Sequence, residues 1–83
     1  MAMDLKLYSR AMCSWCEDAK DYLHGRGYKF LEIDVERDRA AYEEMKELSD
    51  QSCVPTLIAG DEVLANFDTD QLEKFLSEHR IEP

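Results

Sequence analysis

Leu5-Lys6-Leu7-Tyr8-Ser9-Arg10-Ala11-Met12-Cys13-Ser14-Trp15-Cys16 is the stretch on which the fold turns. Its first four residues form a short apolar run suited to a strand. Beyond it, Cys16, Ala19, Lys20 and Leu23 recur at spacings of three and four, which predicts a helix over 14–24. Cys13 then stands in a strand-to-helix loop at the helix N-terminus. Backbone N–H groups and the helix dipole there favour an anion, a thiolate included. Arg10, three residues upstream, adds positive charge, while Glu17 and Asp18 in the first turn oppose a nearby thiolate. Two cysteines separated by two residues either cycle between dithiol and disulfide or supply half of a metal site. A zinc site takes about four ligands. The spare donors are Cys53, His24, His79 and carboxylates, and they lack finger-like spacing. The favoured reading is a redox pair, with Cys13 as nucleophile and Cys16 as the resolving thiol.

The rest of the chain extends this beginning. Gly25-Arg26-Gly27 ends the helix, either glycine being able to take a left-handed conformation. Residues 28–33 alternate roughly in period two and predict a second strand that packs Tyr28 and Phe30. Strand, helix and strand within about 30 residues fit a parallel βαβ unit. A second helix is expected over 38–49, capped by Asp38 or Asp34, with Ala41, Met45 and Leu48 as its buried stripe. Residues 53–59 and 63–65 read as a hairpin turning at Gly60-Asp61, with Pro55 at the strand's first residue or at an edge. Asp68 and Gln71 form the pattern of a capping box ahead of a last helix that buries Leu72, Phe75 and Leu76. The order is β-α-β-α-β-β-α, and the sheet must be mixed, with helices on its faces.

At 83 residues the chain is expected to be one domain over 1–83 with a modest core. No apolar run approaches the roughly 20 residues of a membrane span. The N-terminus lacks the basic and apolar regions of a signal peptide. A net charge of −9 argues against nucleic acid and anionic membranes as partners. Three cysteines, two of them a tight pair, do not make a disulfide framework. A catalytic pair in a reducing cytoplasm fits better.

These features together resemble the glutaredoxin branch of the thioredoxin fold. Residues 7–16 resemble the glutaredoxin segment in which a strand ends in Tyr-Thr-Lys and Cys-Pro-Tyr-Cys follows two residues later. Cys53-Val54-Pro55 stands in the place of the family's Thr-Val-Pro, about 40 residues on. Ala65-Asn66-Phe67-Asp68 stands in the place of its Gly-Gly and acidic segment. The resemblance implies an α/β thioredoxin-like fold with a four-stranded mixed sheet. It implies a thiol–disulfide oxidoreductase acting on protein or glutathione mixed disulfides, with no tightly bound cofactor, and we expect a monomer. It further implies a cis Pro55 facing the cysteines, and Val54 offering backbone hydrogen bonds to a bound thiol. Arg10 would meet a glutathione carboxylate, and Asp68 would hold glutathione's γ-glutamyl end.

The chain also departs from the pattern. Ser14 and Trp15 replace proline and tyrosine, and Ala65 and Asn66 replace the glycine pair that lets a ligand approach the backbone. Residues 66–72 also resemble the Gly-Phe-Arg-Pro region of the redoxins that donate electrons to ribonucleotide reductase, which thioredoxin reductase reduces. Both reductants therefore remain open, as does an iron–sulfur or metal carrier using Cys13. Trp15 is expected as an exposed aromatic platform for a partner, and Met12 as a shield for the nucleophile. Cys53 is expected as a small buried residue in threonine's place, with a third redox thiol as the sharper alternative.

Overall fold

The computed structural model describes residues 4–83. Four strands and three helices follow in the expected order: β1 (Leu5–Ser9), α1 (Ser14–Gly25), β2 (Leu31–Asp34), α2 (Arg39–Ser49), β3 (Thr56–Ala59), β4 (Glu62–Ala65) and α3 (Thr69–Glu78). They build one sheet of order β2-β1-β3-β4. β1 runs parallel to β2, with Lys6 opposite Leu31, and antiparallel to β3, with Tyr8 opposite Thr56. β3 and β4 are the expected hairpin, turning through Gly60 at φ +61.

Side-chain alternation along the two central strands divides the core. Leu5 and Leu7 of β1 and Leu57 and Ala59 of β3 face α1 and α3, where they meet Ala19, Leu23, Phe67, Leu72, Phe75 and Leu76. Tyr8 and Ile58 face the other way, toward Val35, Ala41 and Met45 on the α2 side. The Tyr8 hydroxyl donates to the Glu44 carboxylate, and burial, helped by this bond, holds the phenol well above its ordinary range. No helix among the described residues is long and apolar enough to cross a membrane.

Three sequence expectations change. The second strand starts at Leu31 rather than at residue 28. Tyr28 and Phe30 do pack against the larger cluster, but the backbone before Leu31 serves to end α1. Gly27 takes φ +82, its N–H donates to the His24 carbonyl, and the Tyr28 N–H donates to the Leu23 carbonyl. This is a Schellman closure, and it uses the group that a longer strand would put into the ladder. The third strand starts at Thr56 rather than at residue 53, because Pro55 has no N–H to donate to the ladder. Leu48 is 49% exposed rather than buried. α2 packs on its face of the sheet without a second helix, so nothing covers the end of its apolar stripe.

Candidate active site

The sheet topology gathers the chemistry at one end. β1 ends where β3 begins, so the loop carrying Cys13 and the segment carrying Val54 and Pro55 leave the sheet side by side. β2 is parallel to β1, which sends its exit toward α2 to the same end. β4 is antiparallel to β3, which brings residues 66–68 and the start of α3 there as well. Four loops, the cysteine loop among them, thus meet at this end of the sheet.

Cys13 is the N-cap of α1, with extended backbone at φ −110 and ψ 107. Its Sγ accepts the Cys16 N–H at 3.2 Å, and its carbonyl accepts the Glu17 N–H at 3.0 Å. A sulfur in this place is held by the donors that stabilise a thiolate. Cys13 is partly exposed and Cys16 is 0% exposed. Burial pushes the Cys16 thiol up to about 12, aided by its hydrogen bond to Cys13 and by the Cys13 charge, with the Arg10 backbone N–H opposing. The two sulfurs are therefore unequal: one is reachable at a helix N-terminus, and the other is enclosed and holds its proton.

Met12, at φ +57, lifts the loop into Cys13 and is fully exposed. It does not shield the nucleophile, because the left-handed backbone turns its side chain to solvent. Trp15 is 48% exposed on the first turn of α1, as a platform requires. The Val54–Pro55 peptide bond is cis and Pro55 is buried. The Pro55 carbonyl accepts the Asn66 N–H at 2.8 Å, which ties this segment to the lead-in of α3. Asn66 itself stands at φ +53, a conformation glycine adopts without strain.

Cys53 is exposed, contrary to the expectation of a buried stand-in for threonine. The reason is Gln51, whose role the sequence reading missed. Gln51 Oε1 accepts the Cys53 N–H at 2.6 Å, while its Nε2 donates to the Cys53 carbonyl and to Thr56 Oγ1. The cis-proline loop is braced by that amide, and the Cys53 side chain is left outside. A lone glutamine in a polar stretch gives no sequence signal for this role.

Arg10 and Val54 line one groove of about 300 Å³, with Val35, Glu36, Arg39, Tyr42 and Ser52. In the sequence Arg39 reads as part of the solvated face of the second helix and Tyr42 as a neighbour of its buried stripe, and the parallel exit of β2 brings both here. Asp68 is the N-cap of α3, where its carboxylate accepts the Gln71 N–H at 2.8 Å and its own N–H donates to Gln71 Oε1 at 3.0 Å. Among the described residues no group of three or more His, Cys, Asp or Glu side chains is placed to hold a metal ion. A cluster on Cys13 would need ligands from a second molecule.

The family profile named Glutaredoxin matches residues 5–64. This chain belongs to the glutaredoxin family. A glutaredoxin-like 8.6 kDa protein in the rubredoxin operon of Clostridium pasteurianum is 32% identical over 72 residues, covering 87% of this glutaredoxin-family chain and 96% of its relative. Among solved structures, the thioredoxin-like protein BC3987 matches with TM-score 0.80 at 28% identity, covering 87% of this chain and 99% of that one. The glutaredoxin-like protein NrdH-redoxin from Escherichia coli, described by its thioredoxin-like activity profile, matches with TM-score 0.76 at 29% identity, over 87% and 93% of the two chains. A buckwheat glutaredoxin–glutathione complex shares the fold, with TM-score 0.73 at 16% identity. The architecture is thioredoxin-like, and membership of this family supports thiol–disulfide redox chemistry.

Proposed function

We propose that this protein reduces disulfides in other proteins through Cys13 and Cys16. The observation that carries the reading is the inequality of the two thiols: Cys13 Sγ at the N-cap of α1, and Cys16 enclosed with its thiol raised. The Cys13 thiolate attacks one sulfur of a target disulfide, forming a mixed disulfide and expelling a target thiolate. Cys13 then carries no charge, so one of the causes that raise the Cys16 thiol disappears. Cys16 gives up its proton and attacks Cys13 Sγ. The Cys13–Cys16 disulfide forms, and the second target thiol leaves. The target has gained two electrons, which an external dithiol or reductase must return to the pair. The cis Pro55 segment and the exposed Trp15 frame the target, with the Val54 backbone as its hydrogen-bonding edge. The setting is a reducing cytoplasm, and the protein acts as a monomer.

Glutathione is one candidate reductant, and Arg10 in the groove supports it, with Arg39 as a second cation. A second reading has the stronger observation. Asp68, expected to hold the γ-glutamyl end, already accepts the Gln71 N–H at Oδ1 and gives its own N–H to Gln71 Oε1, and Asn66 carries a side chain where the family pattern has glycine. This favours a thioredoxin-reductase-type flavoprotein as the donor. The decisive experiment is insulin disulfide reduction coupled to either reductant. Turnover with the flavoprotein alone supports the second reading, and turnover with glutathione alone overturns it. Activity with neither overturns the oxidoreductase itself.

A further inference from the structure

Lys20 lies one helical turn after Cys16, and its spacing placed it with the buried positions of α1. Its side chain is indeed only 17% exposed. The ammonium is satisfied twice: Nζ donates to Glu17 Oε1 at 2.8 Å and to Glu32 Oε2 at 2.9 Å. Ser9 Oγ donates to the same Glu32 oxygen at 3.0 Å, from a residue that is almost fully buried. The result is a continuous polar strap. Ser9 is the last residue of β1, immediately before the loop that leads to Cys13. Glu17 is in the first turn of α1, immediately after it. Glu32 on β2 and Lys20 on α1 join the two ends.

The charges in the strap bear on the nucleophile. The Glu17 carboxylate belongs to the same helix N-terminus that Cys13 caps, and the Glu17 N–H binds the Cys13 carbonyl. A carboxylate and a thiolate there draw on one dipole and repel each other. The charged and titratable groups on the elements around Cys13 are Arg10 in its own loop, Cys16, Glu17 and Asp18 on α1, Asp34, Glu36, Arg37, Asp38 and Arg39 on the exit of β2 toward α2, Cys53 on the cis-proline segment, and Asp68 and Asp70 at the start of α3. Lys20 is tied to the first-turn carboxylate and turns it toward β2. The two carboxylates favour the charged ammonium, and Lys20 first of all holds Glu32 below the usual carboxylate range.

We propose that Lys20 is a positioning residue of the redox site: by pairing with Glu17 and Glu32 it neutralises the carboxylate in the first turn of α1 and so favours ionisation of Cys13. This rests on Cys13 being the attacking thiol.

The test is the rate of iodoacetamide alkylation at each cysteine of the reduced protein, mapped by mass spectrometry between pH 6 and pH 10. Wild type comes first. If Cys13 is not the fastest of the paired cysteines, the oxidoreductase reading fails, independently of Lys20. Given that ordering, Lys20→Met should slow Cys13 alkylation about three- to tenfold at pH 6, the size expected when a first-turn carboxylate one helical turn from the thiolate loses its counter-charge in a partly wet site. It should leave the rate at pH 10 unchanged. Glu17→Gln should accelerate alkylation at pH 6, and Glu17→Gln with Lys20→Met together should return it to within about twofold of wild type. A merely structural role for Lys20 would leave the double variant as slow as Lys20→Met, and that result overturns the proposal. Should Lys20→Met not fold, Glu17→Gln alone decides: an unchanged or slower rate at pH 6 overturns it.

Discussion

Helices α1 and α3 begin at the same end of the sheet, pack on the same face and meet each other, yet their N-termini are closed in different ways. α3 opens on Asp68 with a full capping box, two orphan donors satisfied reciprocally by Asp68 and Gln71. α2 likewise opens on an aspartate, Asp38, which accepts the Ala41 N–H at 3.0 Å. α1 opens on Cys13, whose sulfur takes one N–H at 3.2 Å and receives no reciprocal partner in its first turn. An oxygen cap stabilises a helix by about 1 kcal/mol. At α1 that gain is forgone, and the same donors are left to a sulfur that ionises. One helix start is committed to stability and the other to chemistry.

The largest effect expected from breaking this contrast is at Cys13. Cys13→Ser keeps a capping side chain but no redox sulfur, and insulin reduction should fall to the uncatalysed rate. Cys16→Ser should instead accumulate a mixed disulfide on Cys13, read as added mass in intact-protein mass spectrometry. If Cys16 proves to be the residue that carries the adduct in a Cys13→Ser variant, the roles are reversed.

The next effect concerns pH. The folded Cys16 thiol is raised from 9.0 to about 12, so the fold favours the protonated form. That contribution is whole below pH 9 and is lost as pH climbs toward 12. Urea unfolding of the reduced protein should show a lower midpoint at pH 10.5 than at pH 7. Cys16→Ala should narrow the difference, leaving the share due to Tyr8, whose hydroxyl is raised as well. An equal fall in Cys16→Ala would mean that the enclosed thiol is not what the alkaline side destabilises.

Smaller effects come from α3. Asp68→Ala removes the cap and should lower stability by about 1 kcal/mol in the same unfolding assay. Gln71→Ala should lower it by about 0.5 kcal/mol and free the Asp68 N–H. If self-capping is what disfavours glutathione, Gln71→Ala should raise glutathione-coupled turnover while turnover with the flavoprotein stays level. Smallest of all, Cys53→Ser should leave turnover within about twofold, since that side chain points out of the braced loop. A large loss would make Cys53 a third redox thiol.

Much of this was legible in the sequence because local chemistry and tertiary structure agree there. The strand–CxxC–helix junction, the Asp68–Gln71 box and the Gly60 turn are each written within a few residues. The exposure of Trp15 was also foreseen. What escaped depends on partners distant in the chain. Gln51 braces Cys53 and Thr56 through a side chain that carries no pattern of its own. Lys20 is compatible with burial only because Glu32 arrives from the next strand. Leu48 looked buried because periodicity reports a helix face without reporting how much sheet lies beneath it. The start of β2 moved because a helix terminus and a strand ladder competed for one N–H, at Tyr28.

β1 lies between β2 and β3, and Leu5 pairs with Ala59. The strand that launches the redox loop is thus held on one side by β2 and on the other by β3, about 50 residues further along the chain. The cysteine loop therefore leans on chain far from it: a change that loosens the β3–β4 hairpin would shift the Val54–Pro55 segment beside β1 without touching either cysteine.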